Sequence, residues 1–319
     1  MRRSAAFPLL YRKDVVDQMR LKVKRGTPFA MLAPYFIIYF LFNVFPLLFS
    51  FAVSFTNWNG IRPEFDFVGL SNYIRAFTVD TQFLKSIKNT LLFAITISPL
   101  QMLIGFSLAV FLKSFFKRTG RAFQLINFLP YITTSVALSI IFNFIFTWKG
   151  GVINNFLGLF GVEPIYWLGL PWPSRLVVIF VEVWRNYGYM MVLFLAGLSA
   201  IPDELYEAAR IDGAGWWHQL FHITIPMLKP TLIFTIITGT NAVLNLFDTP
   251  QMIFKSGFSS SPLGGPDRSV LTMMLRFYDA SFKGFEFGYG AAIAFIMFAI
   301  ILGFSLLPLR ISNGKEDET

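Results

Sequence analysis

The chain of 319 residues has no cysteine, which excludes disulfides and thiolate metal sites. Only 14% of its residues are charged and 55% are hydrophobic, whereas soluble domains carry about 25% charged residues; its mean hydropathy is +0.58. The net charge is +9, but the basic residues flank apolar stretches, which indicates a membrane protein and not one that binds nucleic acid. His218 and His222 have no obvious third ligand nearby, so we expect no metal site.

Six apolar stretches follow one another along the chain. They cover residues 29–56, 87–112, 122–147, 176–198, 231–254 and 287–309. A helix needs about 20 apolar residues to cross the hydrocarbon core of a bilayer, and each stretch is long enough. The sequence therefore predicts an all-α polytopic membrane protein with six transmembrane helices and with both termini on the same side.

The two sides of this arrangement differ in their content of Lys and Arg. Sixteen of these residues lie before the first stretch, in the second and fourth loops and after the last stretch, whereas nine lie in the other loops. The positive-inside rule assigns the richer side, with both termini, to the cytoplasm. We therefore predict a basic cytoplasmic N-terminal segment (1–28), a membrane domain (29–310) and a cytoplasmic tail (311–319). The first segment is too polar for a cleavable signal peptide, and it fits either an amphipathic surface helix or a disordered tail.

A polar loop over about residues 203–230 separates the fourth and fifth stretches. Pro202 and the two acidic residues after it favour the start of a helix, because acidic side chains suit the positive end of the helix dipole. Gly213 supplies a turn or a left-handed backbone after this short helix. A second short helix is predicted from about Trp216 to Thr224, with Pro226 as an interruption. The loop is therefore expected to hold two short helices at an angle against the membrane.

The same loop contains a spaced motif. Glu-Ala-Ala at 207–209 is followed after three residues by Gly213 and after nine more by Ile-Thr-Ile-Pro at 223–226. This order resembles the EAA loop of permease subunits in bacterial ATP-binding-cassette (ABC) importers. The one departure is Ile225, where leucine is usual in that family. An ordinary amphipathic loop between two transmembrane helices is the alternative; the full spacing at this point of the chain favours the resemblance. Residues 203–230 are called the EAA loop below.

The resemblance implies a mechanical role for the EAA loop. In that family the loop lies in the cytoplasm and docks onto an ATPase subunit. Glu207 matches the family's glutamate and is expected to pair with a basic group of the ATPase, while Ala208 and Ala209 give small apolar contacts. Gly213 matches the glycine between the two helices, and Asp212 is expected to cap the second one. The implied fold is that of a type I ABC importer permease with a cytoplasmic coupling-helix loop.

Polar and ionisable side chains interrupt the fourth and fifth stretches, where such groups are costly and usually functional. The fourth carries Glu182, Arg185, Asn186 and Tyr189, and the fifth carries Asn241, Asn245 and Asp248. At helical spacing each group forms one stripe, and both stripes reach about the middle of the bilayer. They are expected to line a water-filled cavity whose charges, amides and aromatic rings suit a sugar. The alternative is internal satisfaction, with Glu182 neutralising Arg185 and the amides joining helices.

The two stripes, together with Gly-Gly-Pro-Asp-Arg at 264–268, also resemble carbohydrate permeases of the maltose and glycerol-phosphate class. That resemblance implies a substrate pocket. Its lining residues would be Arg185, Asn186, Tyr189, Asn241, Asn245 and Asp248. The maltose permease has uncharged residues at the positions of Arg185 and Asp248, so a neutral, a charged or a larger saccharide is possible.

The resemblance also implies an assembly in a bacterial cytoplasmic (inner) membrane. Its members would be this chain, a homologous second permease, two ATP-binding subunits and an extracytoplasmic solute-binding protein that delivers the saccharide. The ATP-binding subunits would bind ATP and Mg, so no cofactor is expected in this chain. The sequence agrees, because it has no G-x-x-x-x-G-K-[ST] run for phosphate binding.

Two other functions are weighed against this one. A secondary transporter or channel would show inverted repeats and broken helices, and no internal repeat is clear in the sequence; the EAA motif would have no role in such a protein. An intramembrane enzyme acting on lipid-linked sugar would need paired acids or a metal cluster, for which Glu182 and Asp248 alone give little support. The sequence therefore favours a transporter subunit that is not an enzyme.

Overall fold

The structure is a computed structural model that describes residues 27–115, 120–255 and 263–313. Its helices, in chain order, are α1 (Thr27–Tyr39), α2 (Phe45–Val53), α3 (Ser71–Thr78), α4 (Thr81–Phe115), α5 (Gly120–Ile132), α6 (Ser135–Ile145), α7 (Val152–Gly158), α8 (Pro171–Ser199), α9 (Asp203–Ile211), α10 (Trp216–Gln219), α11 (Ile225–Met227), α12 (Lys229–Leu244), α13 (Asp248–Lys255), α14 (Met273–Tyr278) and α15 (Phe287–Asn313). Residues 1–26 of the predicted basic segment and residues 314–319 of the predicted tail lie outside the described residues.

The described residues contain five helices that are long and apolar enough to cross a membrane. These spans are Met31–Val53, Thr81–Ser114, Pro171–Ser199, Lys229–Phe254 and Phe287–Arg310. A sixth is obtained if α5 and α6, which are bent by 93° relative to each other, are counted as one broken span. The all-helical membrane fold is thus confirmed, and the predicted number of six transmembrane helices depends on whether the third apolar stretch, which is divided between α5 and α6, is counted as one span.

The break between α5 and α6 has a local cause. α5 ends two residues after Pro130, and Thr134 then adopts an extended backbone (φ −64°, ψ 138°). The Thr134 hydroxyl accepts a hydrogen bond from the N–H of Ala137 (3.4 Å), so this residue caps the start of α6. A cap of this kind begins a new helix in place of continuing the old one.

A second break divides the fifth apolar stretch. α12 ends at Leu244 and α13 begins at Asp248. Pro250 has no N–H to bond the carbonyl four residues earlier, so it fits the first turn of a new helix and not the middle of a long one. The stretch predicted to carry Asn241, Asn245 and Asp248 on one stripe is thus interrupted, with Asn241 on α12 and Asp248 at the start of α13.

The chain divides into two compact units between Ala52 and Val53. In the first, the apolar side chains of α1 and α2 are almost all exposed, as suits a helix surrounded by lipid. In the second, α8 is central and packs against α4 and α5. A Cβ added at Gly188 would lie 1.8 Å from the carbonyl oxygen of Asn127, so only glycine lets α5 approach the middle of α8 this closely.

Candidate functional site

The two helix breaks and the middle of α8 bring polar side chains together. We call this group the break cluster. Its members are Tyr131, Ser135, Glu182, Arg185, Asn186, Tyr189, Asp248 and Thr249. Helix breaks release backbone groups and place polar side chains at the depth of the bilayer, which is tolerated only where protein or a water-filled cavity surrounds them.

Glu182 is the centre of the break cluster and is only 5% exposed. Its carboxylate accepts a hydrogen bond from the hydroxyl of Thr249 on α13 and another from the Asn186 amide (Nδ2 to Oε2, 3.0 Å). The Asn186 amide also donates to the backbone carbonyl of Glu182 (2.8 Å). A buried carboxylate with these partners ties α8 to α13, and the side chain of Asn186 is largely occupied in doing so.

Arg185 is the counterion of Glu182, but it is only partly engaged. Its Nη1 lies 3.7 Å from Glu182 Oε1, and its side chain is 21% exposed. Its Nε is buried and has no hydrogen-bond partner in the described part of the chain. Since a guanidinium offers five N–H donors, Arg185 retains donors for a ligand after it has neutralised Glu182.

Asp248 joins the two breaks. It lies in the first turn of α13 and accepts a hydrogen bond from the hydroxyl of Ser135 (3.1 Å), the first residue of α6. Farther along the same pair of helices, Asn143 donates to the carbonyl of Ile253 (2.9 Å). The half-helices α6 and α13 are thus bound to each other at two levels, and Asp248 keeps an exposed carboxylate at their common start.

Tyr189 supplies an aromatic surface next to these charges. Its ring stacks on that of Tyr131 with centroids 4.6 Å apart and planes 9° apart. The neighbouring Tyr187 donates a hydrogen bond from its hydroxyl to Asn127 Oδ1 (2.9 Å), which fixes α5 on α8. The stacked pair is therefore a fixed apolar surface of the kind that the ring faces of a sugar contact.

The remaining predicted pocket residues, Asn241 and Asn245, lie at the end of α12. The Asn245 amide donates to the carbonyl of Asn241 (2.9 Å), and the Asn241 side chain accepts a hydrogen bond from Ser305 on α15 (3.1 Å). Asn245 is exposed, whereas Asn241 is half-buried against the last helix. The structure thus brings Glu182, Arg185, Asn186 and Asp248 together, and gives Asn241 mainly a helix-joining contact.

Sequence reasoning missed three members of the break cluster. Tyr131, Ser135 and Thr249 have neighbours along the chain that are ordinary for a transmembrane helix, so no local pattern singles them out. Each lies within two residues of the end or the start of a half-helix. The available signal was the pair of prolines, Pro130 and Pro250, which mark the ends of helical hydrogen bonding within apolar stretches.

The EAA loop forms the two short helices that the sequence predicts. α9 and α10 are separated by a turn in which Gly213 has a left-handed backbone (φ +80°). Asp212 does not cap the second helix: it ends α9, its N–H bonds the carbonyl of Ala208, and Gly215 precedes α10 without a side-chain cap. Pro226 does not interrupt the second helix either, because a π-helical turn (Leu220–Thr224) carries the chain from α10 into α11.

The surface of the EAA loop is open around its motif. Glu207, Ala208, Asp212 and Gly213 are exposed, and Ile211 between them is 86% exposed. Ala209, Asp212, Gly213, His218 and His222 line part of a hollow of about 440 Å³. The two histidine rings stack at 4.0 Å, and the described residues hold no group of three His, Cys, Asp or Glu side chains suited to a metal.

Lys113 at the end of α4 connects the EAA loop to the membrane helices. Its ammonium donates to the carbonyl of Leu198 (2.7 Å) and lies 3.9 Å from Asp203 and 5.1 Å from the ring centroid of Tyr206. The hydroxyls of Tyr206 and Thr224 are hydrogen bonded (3.0 Å), so α9 is also joined to the second half of the loop. These contacts enclose a cavity of about 280 Å³ and hold α9 to the ends of α4 and α8.

A second buried carboxylate, Asp80, lies where other helices meet. Asp80, just before α4, is 8% exposed and accepts hydrogen bonds from Arg276 (2.8 Å) and Tyr289 (2.6 Å). Burial would raise the pKa of Asp80, but the hydrogen bonds from Tyr289 and Arg276 outweigh it and hold the pKa below its usual value. Arg75 and Glu286 form a bidentate pair nearby (both 3.0 Å).

Comparison with known proteins identifies a family. A family model described as "Binding-protein-dependent transport system inner membrane component" matches residues 101–312. The probable ABC transporter permease protein YurN of Bacillus subtilis is 31% identical over 294 residues, which cover 91% of this chain and 97% of that protein. The lactose transport system permease protein LacF of Rhizobium radiobacter is 34% identical over 287 residues, covering 89% and 93%. The trehalose/maltose transport system permease protein MalF of Thermococcus litoralis is 29% identical over 289 residues, covering 91% and 94%.

Solved structures agree in fold. A chain from a bacterial alginate ABC transporter, in complex with alginate pentasaccharide-bound periplasmic protein, superimposes with a TM-score of 0.78. The two chains are 22% identical, and the match covers 91% of this chain and 95% of the other. Another structure of an ABC transporter for the acidic polysaccharide alginate gives a TM-score of 0.74 at 21% identity, covering 94% and 99%.

Proposed function

Because the chain belongs to the family of binding-protein-dependent transport system inner membrane components, and is thus a non-enzymatic ABC permease, we propose that its break cluster is part of a path for a saccharide. The observation that carries this proposal is the meeting of two broken helices at Glu182, Arg185 and Asp248. Broken helices at bilayer depth are found where a substrate or ion site lies between them. A pathway needs polar groups at that depth, whereas a purely structural bundle avoids them.

A saccharide without acidic groups is the substrate that best suits the break cluster. Glu182 is buried and paired with Arg185, so the exposed Asp248 carries the uncompensated negative charge of the break cluster. That charge repels an acidic sugar and leaves hydroxyls free to bond Arg185 and Asp248. The relatives named for lactose and for trehalose/maltose support the same class. The alginate transporter is 22% identical, and its likeness to this chain concerns the fold alone.

In this proposal the EAA loop binds an ATP-binding subunit. Its exposed face presents Glu207, Ala208, Asp212 and Gly213. Ile211 is an exposed apolar side chain that a bound partner would shield from water. Lys113 joins the loop to the ends of α4 and α8, so a force on α9 acts directly on two spans. The assembly holds a homologous second permease, two ATP-binding subunits with ATP and Mg, and an extracytoplasmic solute-binding protein.

The proposed topology counts α5 and α6 as one broken span. The chain then crosses a bacterial cytoplasmic membrane six times, with both termini and residues 203–230 in the cytoplasm. Because the chain has no cysteine, single cysteines can be introduced without removing others. Cysteines at Glu207 and at Asp267 should react with a membrane-impermeant maleimide from opposite sides of sealed vesicles, and labelling of both from the same side would overturn the topology.

The saccharide path is tested with the assembled importer in proteoliposomes. Its solute-binding protein is first screened by thermal shift against neutral and uronic-acid oligosaccharides, and uptake of the best ligand is then measured. Tyr189→Leu should lower uptake about two- to tenfold, the equivalent of one aromatic contact. Tyr189→Phe, which keeps the ring stacked on Tyr131, should retain most of it. Equal uptake in both variants, or a solute-binding protein that binds only acidic sugars, would contradict the proposal.

A further inference from the structure

We infer that residues 264–272 form a latch that fixes the geometry of the break between α12 and α13, with Thr272 as the positioning residue. The inference rests on the proposed function only where it places the latch on the outer face and beside the solute-binding protein. The contacts themselves stand without it. The latch adds to the proposed function because it connects an exposed part of residues 264–272, around Asp267, to the break that carries Asn245 and Asp248.

The break leaves a carbonyl without its helical partner. In an unbroken helix the carbonyl of Leu246 would accept from the N–H of residue 250, which here is a proline and has none. Leu246 is only 6% exposed, so water is not available to replace the donor. An unsatisfied buried carbonyl is costly, and the fold must supply a donor from elsewhere.

Thr272 supplies that donor. Its hydroxyl donates to the Leu246 carbonyl at 2.6 Å, across 26 residues of sequence, and its side chain is fully buried. The same oxygen accepts from the N–H of Leu275 (3.3 Å) and so caps the start of α14. One hydroxyl therefore satisfies the free carbonyl at the break and also caps the first turn of α14.

The segment that presents Thr272 is itself tightly folded. Gly264 and Gly265 have φ of +82° and +73°, and Asp267 and Arg268 follow at +49° and +52°, a region that non-glycine residues seldom occupy. The N–H of Val270 bonds the carbonyl of Gly264 (2.9 Å), so the segment closes on itself. Strained backbone of this kind persists only where surrounding contacts hold it.

Those contacts come from α4 and α8. The Asn89 amide donates to the carbonyls of Arg268 (2.9 Å) and Leu271 (3.0 Å). Arg175 donates to the carbonyl of Ser269 (3.1 Å) and to Asn89 Oδ1 (3.2 Å), so it supports both the segment and its anchor. The segment is thus clamped between two spans before it reaches the break.

The tip of the segment is exposed while its end is buried. Asp267 pairs with Lys85 (2.8 Å) and keeps 73% of its side chain exposed. Five residues later Thr272 has no exposed surface. A protein that contacts the tip is therefore connected, through a short and rigid stretch of chain, to the hydrogen bond that satisfies the break. The solute-binding protein is the partner that reaches this face in the proposed assembly.

The latch is tested first without any partner. A single cysteine at Val243, which is buried just before the break, is introduced into the full chain, and its rate of reaction with a maleimide is measured in nanodiscs. Thr272→Val removes the donor with little change of shape, and labelling should become about fivefold faster, the equivalent of one hydrogen bond. Thr272→Ser retains the hydroxyl and should leave the rate unchanged.

A second substitution separates the latch from a general loss of packing. Pro250→Ala returns the N–H that an unbroken helix would use, so the double variant Pro250→Ala/Thr272→Val should recover most of the original rate. If Thr272→Val alone did not fold, recovery of folding in the double variant would support the latch in the same way. Equal rates in the Val and Ser variants, or no recovery in the double variant, would overturn the latch.

The link to the outer face is tested in the assembled importer. Thr272→Val should reduce the stimulation of ATP hydrolysis by the loaded solute-binding protein severalfold, with basal hydrolysis and assembly unchanged, and Thr272→Ser should be stimulated like the original chain. Equal stimulation in all three overturns the link. An original chain that forms no complex with ATP-binding subunits would contradict the proposed function instead, while the labelling result would still decide the latch.

Discussion

The break cluster and the EAA loop differ in how far their side chains are engaged within this chain. Glu182 in the break cluster is 5% exposed and contacts Thr249, Asn186 and Arg185. Glu207 in the EAA loop is exposed and makes no hydrogen bond or ion pair with the residues that the structure describes. A buried carboxylate must be satisfied inside the protein, so it positions helices. An exposed carboxylate without partners costs nothing in the isolated chain and is free to bind another protein.

The comparison predicts that substitutions at Glu182 act on the fold of the chain itself. Glu182→Ala leaves Arg185 and Thr249 without the carboxylate that they contact, and we expect a loss of about 3–5 kcal/mol of stability. Glu182→Gln keeps an acceptor for Thr249 and should cost less. Thermal unfolding in a mild detergent, followed by intrinsic fluorescence, measures both. Equal midpoints for Glu182→Ala and the original chain would mean that the break cluster does not hold α8 to α13.

Asp80 extends the comparison to a buried carboxylate that lies outside the membrane-spanning helices, where the effect of pH on stability can be measured. Its pKa is held below the usual value, so the stability that it contributes is fully present above the unfolded pKa of about 3.9 and is lost as the pH falls through the folded pKa. Asp80→Asn should therefore lower the thermal unfolding midpoint when it is measured between pH 6 and 8. The difference in midpoint between this variant and the original chain should shrink below about pH 4. Asp267→Asn removes an exposed partner of Lys85 and should change the midpoint less at every pH.

The smallest effect on stability is expected at Glu207, where the comparison predicts the largest effect on assembly. Glu207→Ala should change the stability of the permease by less than about 0.5 kcal/mol, since the side chain is exposed and unpaired among the described residues. Co-purification of the ATP-binding subunit should nevertheless fall at least about tenfold, as expected when a charge pair at an interface is lost. Glu204→Ala, an exposed glutamate on the same helix, is the matched control and should retain the partner. Loss of the partner in both variants, or in neither, would contradict a specific role for Glu207.

The family and the class of fold followed from the sequence. Apolar stretches of bilayer length predict an all-helical membrane protein, and the spacing from Glu207 to Pro226 predicts the ABC permease family; the match over residues 101–312 confirms that family. The two short helices and the turn at Gly213 also follow from local signals, because glycine tolerates the left-handed backbone observed there. The roles of the pocket residues and of the EAA loop stay predictions.

The errors and omissions share one physical origin. The sequence assigns Asp212 to the wrong helix because capping depends on where the backbone turns, which two adjacent short helices leave open by several residues. It misses Tyr131, Ser135 and Thr249 because the periodicity assumes continuous helices, whereas each of these residues lies at a break. In both cases the local pattern allows two arrangements, and contacts with other segments select one.

Length and hydropathy thus determine that this chain is a helical membrane protein, since lipid exposure and helix periodicity act on residues that are near in sequence, and a short motif carries its resemblance to ABC permeases. The tertiary structure decides the contents of the break cluster and the latch. The bonds from Thr249 to Glu182, from Ser135 to Asp248 and from Thr272 to Leu246 join residues 67, 113 and 26 positions apart. Each satisfies a polar group beside a helix break with a partner that only the folded chain can bring within reach.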